Sequence, residues 1–96
     1  MAATVVRYQA KPDRADENQR LIEAVFAELA ERRPAGFSYQ VFRLDDGVSF
    51  IHVVTEHAGV DEPDSLQDVP AFQAFVAEIA ERCDVRPEAK GATAVG

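Results

Sequence analysis

The stretch from Phe37 to Glu56, FSYQVFRLDDGVSFIHVVTE, decides the fold. Two runs rich in β-branched and aromatic residues, Phe37 to Leu44 and Val48 to Glu56, flank Asp45-Asp46-Gly47. An Asp-Gly step between such runs is a strong hairpin signal, so these strands pair antiparallel. Alternation then divides the side chains between two faces. Phe37, Tyr39, Val41, Phe50, His52 and Val54 share one; Ser38, Gln40, Phe42, Ser49, Ile51, Val53 and Thr55 share the other. The first, bulkier face is expected beneath helices. The second is mixed, and Phe42, Ile51 and Val53 are poorly placed in water, so a second sheet should cover it.

Upstream, Thr4 to Ala10 (TVVRYQA) reads as a strand that ends at Lys11-Pro12-Asp13. It adds Val6 and Tyr8 to the bulky face and Val5, Arg7 and Gln9 to the mixed one. From Arg14 to Arg33, the residues Leu21, Ile22, Val25, Phe26 and Leu29 recur at helical spacing, with Asp16 and Glu17 early and Arg32 and Arg33 late, as the helix dipole favours. Pro34-Ala35-Gly36 ends this helix. Downstream of the hairpin, His57 to Val69 is polar and punctuated, a loop long enough to be functional. Beyond Pro70, the spacing of Phe72, Phe75, Val76, Ile79 and Cys83 predicts one continuous second helix. Pro87 and Gly91 interrupt the C-terminal segment, which places the last strand at about Ala89–Val95. The order βαββαβ predicts a ferredoxin-like α+β fold, a four-stranded antiparallel sheet with both helices on one face.

Composition bounds the rest. Ninety-six residues, 47% hydrophobic and 28% charged, make a single domain over residues 1–96. A chain this short gains from a partner covering a second face, so a small homo-oligomer is expected. Seventeen acidic against ten basic residues give net charge −7, which disfavours nucleic acid and anionic membrane surfaces. Neither a long apolar leader nor a run of about 20 apolar residues is present, and the single cysteine suits a reducing compartment, so the cytoplasm is expected.

The run VVRYQAKPDRADENQRLIEAVFAEL, followed by the hairpin and then SLQDVPAFQAFVAEI, resembles the antibiotic biosynthesis monooxygenase (ABM) group of the dimeric α+β barrel superfamily. The resemblance implies a homodimer whose two sheets face each other, with a pocket between sheet and helices in each protomer. Among relatives, it points to cofactor-independent monooxygenases of phenolic polyketide intermediates, quinol monooxygenases and haem-degrading enzymes. The haem-degrading branch carries an inward Asn on its first strand, where this chain has Val6 and Tyr8, and needs a Trp that this chain lacks. The implied function is a cofactor-independent monooxygenase of phenolic or quinol substrates; the alternative on the same fold is a non-catalytic small-molecule-binding or regulatory dimer.

His52 sits mid-strand on the bulky face, where an imidazole is either a hydrogen-bonded core residue or a base and proton relay aimed into a pocket. Tyr8 and Tyr39 share its face, as packing rings with satisfied hydroxyls or as groups that orient substrate oxygens. With Phe37, Phe50, Phe72 and Phe75 as apolar walls, they form a candidate site for an apolar or aromatic small molecule. His57 is expected to be exposed, and the two histidines offer no metal-ligand spacing. Cys83 is expected as a buried, inert thiol on the second helix. Asn18 is expected on an exposed helix surface, with the pocket mouth as the alternative. Arg7 is assigned to the dimer interface. The acidic run Asp61, Glu62, Asp64 and Asp68 does not match a calcium loop and reads as solvated.

Overall fold

A computed structural model describes residues 2–61 and 63–96; Glu62 of the acidic run lies outside them. Its elements run β1 (Ala2–Ala10), α1 (Ala15–Arg32), β2 (Phe37–Arg43), β3 (Ser49–Glu56), a 3₁₀ turn (Leu66–Asp68), α2 (Pro70–Val76), a single turn α3 (Ile79–Arg82) and β4 (Cys83–Thr93). The strands form one antiparallel sheet in the order β2-β3-β1-β4. This is the ferredoxin-like α+β arrangement that the hairpin and flanking periodicities predict. At the hairpin, Gly47 adopts φ +79° and its N–H donates to Leu44 O at 3.0 Å. A residue without a Cβ takes that conformation at no steric cost.

The registers place Tyr8 opposite Phe50 and Val6 opposite His52 across β1 and β3, and Val41 opposite His52 and Tyr39 opposite Val54 across β2 and β3. Directly opposed residues lie on one face, so the bulky set is contiguous. Tyr8, Tyr39 and Phe50 are buried there with Ile22 and Val25 of α1 and Phe75 of α2, while Val6, Phe37, Val41 and Val54 pack around them. Glu28 on α1 joins the two helices by accepting from the Ala71 N–H at 3.0 Å, which satisfies a donor at the start of α2.

The second helix corrects the sequence reading. Rather than running unbroken to Cys83, it stops at Val76, with Ala77 extended and Glu78 left-handed at φ +62°. The sheet wins over local helical periodicity: Cys83 pairs with Ala10, and the Lys11 N–H donates to Arg82 O at 2.7 Å. Cys83 is therefore the first residue of β4, not part of a helix stripe, although it is buried as expected. The last strand likewise starts at Cys83 rather than Ala89. It tolerates Pro87 because β4 is an edge strand and its register slips between the pairs Arg7–Glu88 and Gln9–Val85. A proline without an N–H fits such a bulge on an edge. Among the described residues, no helix is long and apolar enough to cross a membrane.

Candidate functional site

Five side chains from five elements join in one buried line. Arg82 on α3 donates from Nε to Asn18 Oδ1 on α1 at 3.2 Å, and Asn18 Nδ2 donates to Tyr8 Oη on β1 at 2.8 Å. Tyr8 Oη lies 2.7 Å from His52 Nε2 on β3, and His52 Nδ1 lies 2.7 Å from Tyr39 Oη on β2. Aromatic rings enclose this line: Phe50 stacks on Tyr8 at 5.5 Å, Phe75 on His52 at 5.2 Å and Phe26 on Tyr39 at 5.1 Å, while Phe72 meets Tyr39 edge-on. Such a setting excludes water, strengthens each bond and makes any unpaired polar group costly.

Burial sets the protonation states. His52 is 4% exposed, and burial pushes its pKa from 6.5 down to about 4, so the ring is neutral at pH 7. Burial likewise raises both phenols: for Tyr8 it outweighs the opposing hydrogen bond from Asn18, and for Tyr39 it acts together with the neighbouring Tyr8. The buried Arg82 meets no carboxylate in the line. Besides Asn18, it donates to Ala77 O at 3.1 Å and to Phe75 O, and its guanidinium lies 5.4 Å from the centre of the Phe75 ring. These carbonyls end α2, where the helix dipole favours a cation.

A cavity of about 520 Å³ adjoins the line on the same sheet face. Thr4, Val6, Phe37 and Val54 form much of its floor, and Leu66, Gln67 and Phe72 wall it from the loop and α2. Of the predicted site residues, Phe37 and Phe72 line it. His52, Tyr8, Tyr39, Phe50 and Phe75 lie together in the closed core alongside, joined to the floor through Val6 opposite His52 and Val54 opposite Tyr39. A larger concavity of about 860 Å³ lies on the opposite sheet face, among Arg7, Arg86, Glu88 and Lys90. It is richer in charge and opens on the face away from the helices, although Tyr8 borders it, so the smaller, more apolar cavity is the better small-molecule site.

Other candidates separate from the site. Asn18 is fully buried, which corrects its assignment to an exposed surface; it sits one turn before Ile22 on the helix stripe and faces Tyr8. Arg82 escaped sequence reasoning, although its place three residues after Ile79 and seven after Phe75 put a charge on an apolar stripe, the signal that could have found it. His57 is exposed, with Nε2 2.6 Å from Ser38 Oγ. Asp61, Asp64 and Asp68 are exposed, and Asp64 binds the Ala35 N–H at 2.8 Å. Arg7 is on the outer face, and burial raises the Cys83 thiol pKa. Among the described residues, no group of three or more His, Cys, Asp or Glu side chains could hold a metal ion.

No family model matches the sequence, and no match to a curated protein was found. Solved structures do match over the full length. A Nitrosomonas europaea protein of the antibiotic biosynthesis monooxygenase class superposes with a TM-score of 0.79 at 12% identity, over 100% of both chains. The fold is that of the antibiotic biosynthesis monooxygenases. Rv0793 of Mycobacterium tuberculosis shares the ABM fold with a TM-score of 0.75 and 17% identity, over 99% of this chain and 95% of that one. SnoaB of Streptomyces nogalater, a cofactor-independent oxygenase, shares it with a TM-score of 0.65 and 18% identity, over 99% and 93%. Identities this low carry the ABM fold and not an activity.

Proposed function

We propose that this chain is a cofactor-independent oxygenase of electron-rich phenols or quinols, binding them in the cavity between sheet and helices. The observation that carries the reading is the buried line ending in Tyr8, His52 and Tyr39 beside an apolar cavity of about 520 Å³. That volume falls within the ordinary range of ligand sites, roughly 300–1,000 Å³. The line supplies what the reaction needs from a protein. A phenol must lose a proton to become an electron donor; the phenolate then passes an electron to O₂, the two radicals join at a ring carbon, and the peroxide takes a proton and loses water to leave a quinone. A protein that accepts one proton, returns it and keeps bulk water away is sufficient.

His52 is the natural carrier. With a pKa near 4 it is neutral at pH 7, free to take the proton that the phenol loses, carry it while O₂ adds, and return it to the peroxide. Tyr8 and Tyr39 are the hydroxyls on either side of it and would orient substrate oxygens; Phe37 and Phe72 are cavity walls, and Phe50 and Phe75 hold the relay rings. SnoaB, a cofactor-independent oxygenase on the same fold, supports this class of chemistry.

The same reading includes a homodimer. The outer sheet face leaves Phe42 51% and Val85 54% exposed, with Val5 opposite Val53 and Phe42 opposite Ile51 as apolar pairs. A second copy laid on this face would cover them, with Arg7 in the interface. The ligand reading is tested by titrating a panel of hydroquinones, naphthols and simple phenols into the protein by calorimetry and mapping the shifted amide signals. Binding with shifts at Val6, Phe37, Val54 and Phe72 is expected. A ligand that binds while turnover stays absent would favour the non-catalytic small-molecule-binding or regulatory dimer.

A further inference from the structure

We propose that Arg82 fixes the direction of the buried hydrogen-bond line, so that His52 holds its proton on Nδ1 and the Tyr39 hydroxyl is left as the free donor at the outer end. This rests on the relay reading above and adds which way the relay runs. A guanidinium has five N–H groups and no acceptor. Facing Arg82 Nε at 3.2 Å, Asn18 must therefore offer Oδ1, which turns its Nδ2 toward Tyr8 Oη at 2.8 Å. An amide nitrogen has no lone pair to give, so Tyr8 accepts at that contact. Its own proton is then free for His52 Nε2 at 2.7 Å. A neutral imidazole that accepts at Nε2 carries its proton on Nδ1, and that N–H meets Tyr39 Oη at 2.7 Å.

Burial favours the same direction. Tyr8, His52 and Tyr39 bring three protons to two links, so one hydroxyl proton has no partner within the line. Were the line reversed, that proton would be on Tyr8, which is 2% exposed; in the direction set by Arg82 it is on Tyr39, which is 9% exposed. An unmatched donor costs most where water reaches least. Tyr39 also stands opposite Val54 and two residues from Phe37, both walls of the cavity.

Arg82 is thus a positioning residue, and nitrogen-15 NMR of the histidine rings in the ligand-free protein at pH 7 reads its effect. His52→Gln identifies the His52 signals by their loss. The unmodified protein should show His52 protonated at Nδ1. Asn18→Asp keeps the side-chain size and the contact with Arg82 but presents a carboxylate oxygen to Tyr8, held ionised by the guanidinium. Tyr8 must then donate to that oxygen and accept from His52 Nε2, so the tautomer ratio should invert by at least about tenfold. Protonation at Nε2 in the unmodified protein overturns the proposal, and so does a folded Asn18→Asp variant with an unchanged tautomer. If that variant does not fold, the spectrum of the unmodified protein decides alone. Because the measurement uses no substrate, absence of turnover would sink the oxygenase reading without touching this one.

Discussion

Acidification should cost this fold roughly 3 kcal/mol through His52 alone. The folded value near 4 lies below the ordinary 6.5, so between those two pH values the unfolded chain binds a proton that the folded chain refuses. The contribution is fully present above pH 6.5, falls by about 1.4 kcal/mol per pH unit through the window, and is gone once the folded protein protonates as well. His52 is 4% exposed, so solvent screening takes little from this figure. The assay is urea unfolding of the unmodified protein and of His52→Gln from pH 7 to 4.5, at one fixed protein concentration because association also shifts stability. Glutamine can still bond both tyrosines but does not titrate. Glu17 and Asp46, whose pKa values are lowered by Arg14 and by Ser49 respectively, are common to both proteins and drop out of the difference. The stability difference should therefore shift steadily against the unmodified protein as pH falls. Parallel losses in the two proteins would refute the buried, neutral imidazole.

Other contacts carry their own expected outcomes. Arg82→Met strips the donors from Asn18, Phe75 and Ala77 and should destabilise by about 3 kcal/mol or more in urea unfolding. Gly36→Ala places a Cβ 2.5 Å from Pro63 Cβ at φ +102° and should cost about 1–3 kcal/mol, whereas Gly47→Ala, with open space around it, should cost less; thermal melts of both rank them. Cys83 should react slowly with a thiol reagent in the native protein and rapidly in denaturant, since it is buried at the start of β4. Sedimentation should give twice the 10.5 kDa chain mass, and Ile51→Lys on the outer face should return it toward one chain.

The fold was legible where local signals and long-range pairing agree. Val48 to Glu56 alternates cleanly, and Asp45-Asp46-Gly47 marks the turn, so the antiparallel hairpin and the shared face of His52, Val6 and Val41 followed from the pattern, while the register that sets them opposite one another came from the structure. The shared face of Tyr8, Tyr39 and His52 was legible for the same reason. The end of α2 was not, because the apolar spacing from Phe72 to Cys83 suits a helix, and only the pairing of Cys83 with Ala10 overrides it. Asn18 and Arg82 were hidden by a related limit. Each is polar on an apolar helix face, and a one-dimensional pattern cannot show that their buried groups satisfy one another across 64 residues. The closed packing of Phe50 and Phe75 around the line, against the open positions of Phe37 and Phe72, was equally invisible to alternation, since all four carry the same pattern.

Oxygen consumption tests the central claim most directly. The protein, free of added flavin and metal, is mixed with each hydroquinone, naphthol and phenol of the panel in an oxygen-electrode cell, with His52→Gln as the paired sample. The account predicts O₂ uptake above the buffer rate for at least one substrate, with quinone formed, and a loss of about 10²–10⁴-fold in turnover in a folded His52→Gln variant. No uptake across the panel, or equal turnover in the variant, would contradict it.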